Sequence, residues 1–140
     1  MINFKAHYSI NFNKIPRSSK KIIYLIYHYT GMSSEKRAIA RLTNENSKVS
    51  CHYFIRRNGQ IINMVPDKFI AWHAGVSNWK NHKSLNDKSI GIEIQNSGHS
   101  GKYEGYSNKQ IKSLLILSKF LKKKYNIKSK NFFFRRIYRH

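Results

Sequence analysis

The chain is short of several things at once. Its 140 residues include one cysteine, two prolines and six acidic residues. A single cysteine, Cys51, excludes an intrachain disulfide partner and any multi-cysteine metal site. Its apolar surroundings read as those of a small core residue. No apolar run approaches the length of a membrane span. Met1 to Lys21 is polar and basic with no apolar segment, so no secretory signal is evident and the expected address is the cytoplasm. No histidine has the His-Glu-x-x-His or His-x-His spacing of a local zinc motif, so a metal site has to be assembled from distant segments.

The shortage of acids leaves 27 Lys and Arg largely unbalanced, a formal charge of +21. Such a charge attracts polyanions. The lysines are scattered, however, and accompany many Ile and Asn residues, the pattern expected of AT-rich coding DNA. No nucleic-acid reader motif is present, so a nucleic-acid binder ranks last among the readings below.

What is present reads as one domain without internal repeats, residues 21–140, preceded by an irregular arm over residues 1–20 in which Pro16 and Ser18-Ser19 break any pattern. Ile22 to Tyr27 is a β-branched and aromatic run that reads as a buried strand ending at His28. Ser33 or Ser34 caps a short helix to about Leu42. Val49 to Arg56 and Ile61 to Val65 read as a hairpin turned at Asn58-Gly59, with Pro66 ending it. Residues 75–88 read as a loop. Lys88 to Gln95 reads as a strand covered on both faces, and 96–106 as a Gly- and Ser-rich loop. Ser107 with Gln110 forms a capping box for an amphipathic helix to about Tyr125. Asn131 to Phe134 reads as a last strand. This order predicts an α/β fold with a mixed central sheet flanked by helices.

Two residues stand out chemically. His28 closes one apolar run and Glu93 interrupts another. A histidine at a strand end suits a zinc site, although a satisfied core histidine is the commoner case. A carboxylate in a strand otherwise suited to burial is costly unless it is paired or metal-linked, and it suits proton transfer; a structural salt bridge is the alternative. Together they point to a metal-dependent hydrolase. His52 and His73 are further candidates. Trp72-His73 before Ala74-Gly75 could line a sugar or peptide groove, or Trp72 could pack in the core beside a surface histidine.

Five segments then fall into a recognisable order: Ile26-Tyr27-His28-Tyr29-Thr30; Lys48-Val49-Ser50-Cys51-His52-Tyr53; Asn58-Gly59 with Val65-Pro66; Ala71-Trp72-His73-Ala74-Gly75-Val76-Ser77 with Trp79; and Leu85-Asn86 with Ser89-Ile90-Gly91-Ile92-Glu93. Over roughly residues 20–131 the chain resembles the zinc-dependent N-acetylmuramoyl-L-alanine amidases of the amidase-2 and peptidoglycan-recognition-protein family. The resemblance implies hydrolysis of the amide between N-acetylmuramic acid and L-alanine in peptidoglycan fragments or muropeptides. It implies His28 as a zinc ligand and Glu93 as the catalytic glutamate, taking a proton from metal-bound water. It implies Lys48, Trp72, His73, Ala74 and Asn86 as substrate-binding residues.

Past the long helix the family pattern expects a Gly-His-Ser-Asp-like and an Asp-Pro-Gly-like segment carrying the remaining zinc ligands. Here Lys128 to Asn131 follows the pattern, and the chain then reads Phe132-Phe133-Phe134-Arg135-Arg136 up to His140. The expectation is an incomplete zinc site, a fold missing its C-terminal part, and impaired or absent turnover, with a truncated or a frame-shifted gene as the cause; the T-rich phenylalanine codons are a plausible slippage site for the second. His140 is the one substitute ligand on offer. A non-catalytic muropeptide-binding module is the second reading.

Overall fold

The computed structural model describes residues 2–75, 85–98 and 104–135. Ten regular elements lie within them: β1 (Phe4–Ala6), β2 (Phe12–Asn13), β3 (Tyr24–Tyr29), α1 (Glu35–Thr43), β4 (Tyr53–Ile55), β5 (Ile61–Asn63), β6 (Ile70–Ala71), β7 (Ser89–Ile94), α2 (Asn108–Tyr125) and β8 (Phe132–Phe134). Six strands form one sheet in the order β1-β5-β4-β7-β3-β8, and β2 pairs with β6 in a two-stranded ribbon. β4 and β5 are antiparallel, while the other neighbours in the main sheet run parallel. The mixed sheet with helices agrees with the sequence reading. The central strands β3 and β7 lie between neighbours, so all six residues of β7 are buried and the segment carries no clean polar side.

Alternation along these strands divides the interior. Leu25 and Tyr27 of β3, Ile90, Ile92 and Ile94 of β7, and Tyr53 and Ile55 of β4 form one core layer with Leu117 and Leu121 of α2. Phe54, on the opposite face of β4, packs with Ala38 and Leu42 of α1 and with Cys51. Tyr24 and Ile26 of β3 meet Ala74 and Leu85 on that same second face. His28 and Glu93 follow Ile26 and Gly91 at the two-residue period, so they too belong to the face opposite α2.

The helices begin where short polar side chains permit. Ser34 accepts from the Arg37 amide at the start of α1. Ser107 accepts from the Gln110 amide, and the Gln110 side chain accepts from the Ser107 amide, completing the capping box. Gln110 also donates to the Gln95 carbonyl at 2.8 Å, which joins the start of α2 to the end of β7. At the β4–β5 turn Gly59 has φ +86°, and a Cβ there would lie 2.9 Å from the Lys109 carbonyl oxygen.

Two expectations are corrected. The first twenty residues are not an irregular arm. β1 pairs in parallel with β5 and forms a sheet edge, and β2 pairs with β6. The Ser9 hydroxyl donates to the Leu42 carbonyl at 2.6 Å, and Asn11 donates to Asn44 and Val49. These contacts use short polar side chains and main-chain groups, which leave no hydrophobic period to read. The second strand is also shorter than expected. Only Tyr53–Ile55 is regular, because the Ser50 amide is drawn to the Trp72 carbonyl instead. Most of the 75–88 loop, part of the 96–106 loop, Trp79 and His140 lie outside the described residues.

The capping box gives a direct test. Ser107→Ala removes one N-terminal acceptor of α2 and is expected to lower stability by about 1 kcal/mol in urea unfolding with an unchanged slope.

Candidate active site

β3 and β7 are in parallel register, with Leu25 opposite Ile90, Tyr27 opposite Ile92 and His28 opposite Glu93. Partners in a parallel pair point to the same face, on strands about 4.8 Å apart. Two residues 65 positions apart in sequence are thus side by side, and both are buried, His28 at 0% and Glu93 at 1% exposure. Glu93 forms part of the wall of a cavity of about 220 Å³. Lys48, Trp72, His73, Ala74 and Asn86 line that same cavity. His28 reaches it through His73: His28 Nε2 lies 2.9 Å from His73 Nδ1.

The rim residues are held from outside the motif. Lys48 is exposed and left-handed, with φ 55°, an uncommon backbone state for a side chain of this size. Asn11 pins both sides of it, donating to Asn44 and Val49 carbonyls. Trp72 is half-buried, and its indole N–H donates to Asn13 Oδ1 at 2.7 Å. The alternative of a core tryptophan beside a surface histidine is therefore reversed: His73 is 4% exposed. Asn86 lines the cavity, yet its Oδ1 accepts from the His73 and Ala74 amides at 3.1 and 2.9 Å. In this structure it holds the Trp72–Ala74 main chain.

A buried cation that the sequence reading missed is bonded to the main chain of Asn86, a cavity residue. Arg17 is buried, and its guanidinium donates to the carbonyls of Asp67, Asn86 and Asp87 at 3.0–3.2 Å. It joins the N-terminal segment, the loop after β5 and the turn before β7. Burial pulls its pKa down to about 10 despite nearby Asp67. A lone arginine in an irregular stretch carries no sequence signal for this role.

Three imidazoles pack around β7. The His28 and His73 ring centroids are 5.1 Å apart, and those of His52 and His73 are 6.1 Å apart. His52 Nδ1 accepts from the Gly91 amide at 3.0 Å, which leaves Nε2 to carry the proton and donate to the Phe69 carbonyl at 2.9 Å. Burial, reinforced by Arg17, lowers the His52 pKa to about 4. His73 is also held well below the usual histidine value, by burial first and by His28 and His52 next. Gly91 makes room for this packing: a Cβ there would lie 2.3 Å from His73 Cγ and 2.6 Å from Nδ1. The alternate positions Ser89, Gly91 and Glu93 thus share one face, with His73 lying over the middle one. That period of two was the available sequence signal for Ser89 and Gly91.

The arrangement matches a known family. The family model described as Amidase_2, N-acetylmuramoyl-L-alanine amidase, covers residues 18–140. The chain belongs to the amidase-2 family. It is 36% identical to the N-acetylmuramoyl-L-alanine amidase AmiD of Escherichia coli K12, over 79% of this chain and 44% of that protein. It is 38% identical to the 1,6-anhydro-N-acetylmuramyl-L-alanine amidase AmpD of Haemophilus influenzae, over 56% of this chain and 40% of that one. The matches thus span less than half the length of these two relatives. Among solved structures, an AmpD crystal structure superposes with a TM-score of 0.77 at 26% identity, covering 94% of this chain and 80% of the other. The E. coli AmiD complex with anhydro-N-acetylmuramic acid-L-Ala-D-gamma-Glu-L-Lys superposes at 0.73 and 33% identity, covering 87% and 51%.

Zinc is the known trait of this family. Among the described residues, no three His, Cys, Asp or Glu side chains form a group that could hold a metal ion, and His28 Nε2 is engaged with His73. The described residues alone therefore do not fit a catalytic zinc, which needs about three protein ligands. Among the described residues no helix is long and apolar enough to cross a membrane.

Two outcomes follow from this packing. Gly91→Ala is expected to destabilise the fold on the order of 3 kcal/mol in urea unfolding, because the new methyl meets a ring that Asn86 prevents from withdrawing. For His52 the folded pKa lies below the unfolded value of 6.5, so the neutral ring is the folded form. Its contribution to stability is complete above about pH 6.5, falls as the pH drops, and is gone below about pH 4, a loss on the order of 3 kcal/mol. An NMR titration of the His52 ring centred near 6.5 would contradict this.

Proposed function

We propose that the chain carries the peptide groove and proton-transfer group of an N-acetylmuramoyl-L-alanine amidase acting on muropeptides. The observation that carries the reading is the side-by-side burial of His28 and Glu93, with Glu93 in the wall of a cavity that Lys48, Trp72, Ala74 and Asn86 also line. Family membership supports it, as does the anhydromuramyl-peptide named with the related AmiD structure.

In this reading water attacks the carbonyl carbon of the amide between the lactyl group of N-acetylmuramic acid and L-alanine. Glu93 takes a proton from that water as the C–O bond forms. When the C–N bond breaks, the same carboxyl returns the proton to the departing alanine nitrogen, leaving a carboxylic acid on the sugar and a free peptide amine; the acid's remaining proton then passes to the amine, giving carboxylate and ammonium. Trp72 offers an apolar face to the substrate, and Lys48 offers a cation to an acidic peptide carboxylate. A cavity of about 220 Å³ accommodates the reacting end of a muropeptide rather than the whole. Zinc would supply Lewis acidity, with His28 as one ligand. The described residues do not complete a donor set for it.

That observation favours one second reading, a muropeptide receptor that keeps the groove without turnover. The test compares wild type with Glu93→Gln on an anhydromuramyl-tripeptide, with zinc content measured on both. The amidase reading expects turnover in wild type and a loss of about 10²- to 10⁴-fold in the variant, with binding changed less than tenfold. Equal binding with turnover in neither protein replaces it with the receptor.

A further inference from the structure

We propose that the solvent face of α2, together with the neighbouring strand β1, is a docking surface for an anionic lipid bilayer. The proposal concerns the side of the sheet away from the cavity and does not rest on the amidase reading.

The first observation is charge. α2 carries six lysines and no acidic residue, and Lys128 and Lys130 follow it. All eight are exposed. Acids elsewhere are already engaged: Glu35 and Glu104 pair with Arg56 and Arg57, and Asp67 accepts from the Tyr53 and Tyr125 hydroxyls. Compensation of the helix dipole accounts for Lys122, Lys123 and Lys124 in the last turn. It does not account for Lys112 and Lys119 in mid-helix, nor for Lys109 in the first turn, where the dipole disfavours a cation. A partner of opposite charge accounts for all of them.

The second observation is apolar surface in the same place. Ile111, Leu115, Ile116 and Phe120 of α2 are exposed, Leu115 by 61%. Ile111 and Leu115 are one turn apart, as are Ile116 and Phe120, and Lys112, Lys119 and Lys123 stand between the two pairs. Phe4 of β1 is exposed as well, with its ring centroid 6.1 Å from that of Phe120.

Charge and apolar surface together select the partner. Nucleic acid or another soluble polyanion would meet the lysines and leave the isoleucines and leucine in water. A second copy of the same face would set lysine against lysine. A bilayer interface takes both kinds of side chain. The apolar ones enter the boundary between headgroups and acyl chains, while the lysine stems lie along them and lift their ammonium groups to the lipid phosphates. Leu117 and Leu121 turn the other side of α2 toward the sheet, so docking leaves the cavity that Glu93 lines facing away from the lipid.

The test is sedimentation of the full chain with vesicles at about 0.15 M salt. One set is phosphatidylcholine alone, and the other is equal parts phosphatidylcholine and phosphatidylglycerol. Wild type is expected to pellet with the second set and not with the first. The double variant Ile111→Gln, Leu115→Gln keeps the charge and is expected to bind at least about tenfold more weakly. The triple variant Lys112→Gln, Lys119→Gln, Lys123→Gln is expected to bind about 100-fold more weakly. These five side chains are exposed, and circular dichroism checks that each variant is folded. Wild type that stays in solution with phosphatidylglycerol vesicles overturns the proposal without any variant. Equal pelleting with both vesicle sets overturns it by removing the role of the lysines. A double variant that binds as wild type overturns it in favour of a plain polyanion surface. Turnover does not enter the measurement, so the amidase reading stands or falls separately.

Discussion

The parallel pairing of β3 with β7 governs the polar interior of this chain. It sets His28 beside Glu93 at the centre of a six-stranded sheet. A shift of either strand by one residue would turn its polar residue toward α2 and bring isoleucine or tyrosine to the cavity. The register is secured by the opposite face. Ile90, Ile92 and Ile94 with Leu25 and Tyr27 pack against Leu117 and Leu121, and a slip would exchange that apolar layer for Ser89, Gly91 and Glu93. The apolar core and the polar site are two sides of the same constraint.

Burying so many polar groups is tolerable only because they are partnered. Asn86 takes two amides, His52 bridges Gly91 and Phe69, and Arg17 gathers carbonyls from Asp67, Asn86 and Asp87. A buried carbonyl or amide without a partner costs roughly 1–3 kcal/mol. The contacts form one chain: Arg17 donates to the Asn86 carbonyl, Asn86 accepts from the His73 amide, and His73 Nδ1 lies 2.9 Å from His28 Nε2.

Several features were legible in the sequence for stated reasons. The run Ile22–Tyr27 and the segment Ser89–Ile94 announced central strands through β-branched content, Asn58-Gly59 announced its turn, and Ser107 with Gln110 announced the start of α2. The site segments were legible as an ordered set of motifs, and the structure brings Lys48, Trp72, His73, Ala74, Asn86 and Glu93 around one cavity. The N-terminal twenty residues were misread because their attachment is made by isolated polar side chains and a three-residue edge strand, neither of which has a period. The motif pointed to Asn86, and it lines the cavity, but its grip on the loop main chain was not legible.

The sequence by itself determined the family, the α/β architecture, the identities of both helices and of the central strands, and the chemical types available at the site. These depend on local preference, on period, and on the order of motifs. Tertiary structure alone decided that His28 stands beside Glu93, that Arg17 gathers the carbonyls of Asp67, Asn86 and Asp87, and that His73 lies between His28 and Ser89. Those facts depend on which strands are neighbours and on which nitrogen faces which oxygen. A linear string does not carry that information, because it emerges only when segments 45 to 70 residues apart share one hydrogen-bonded layer.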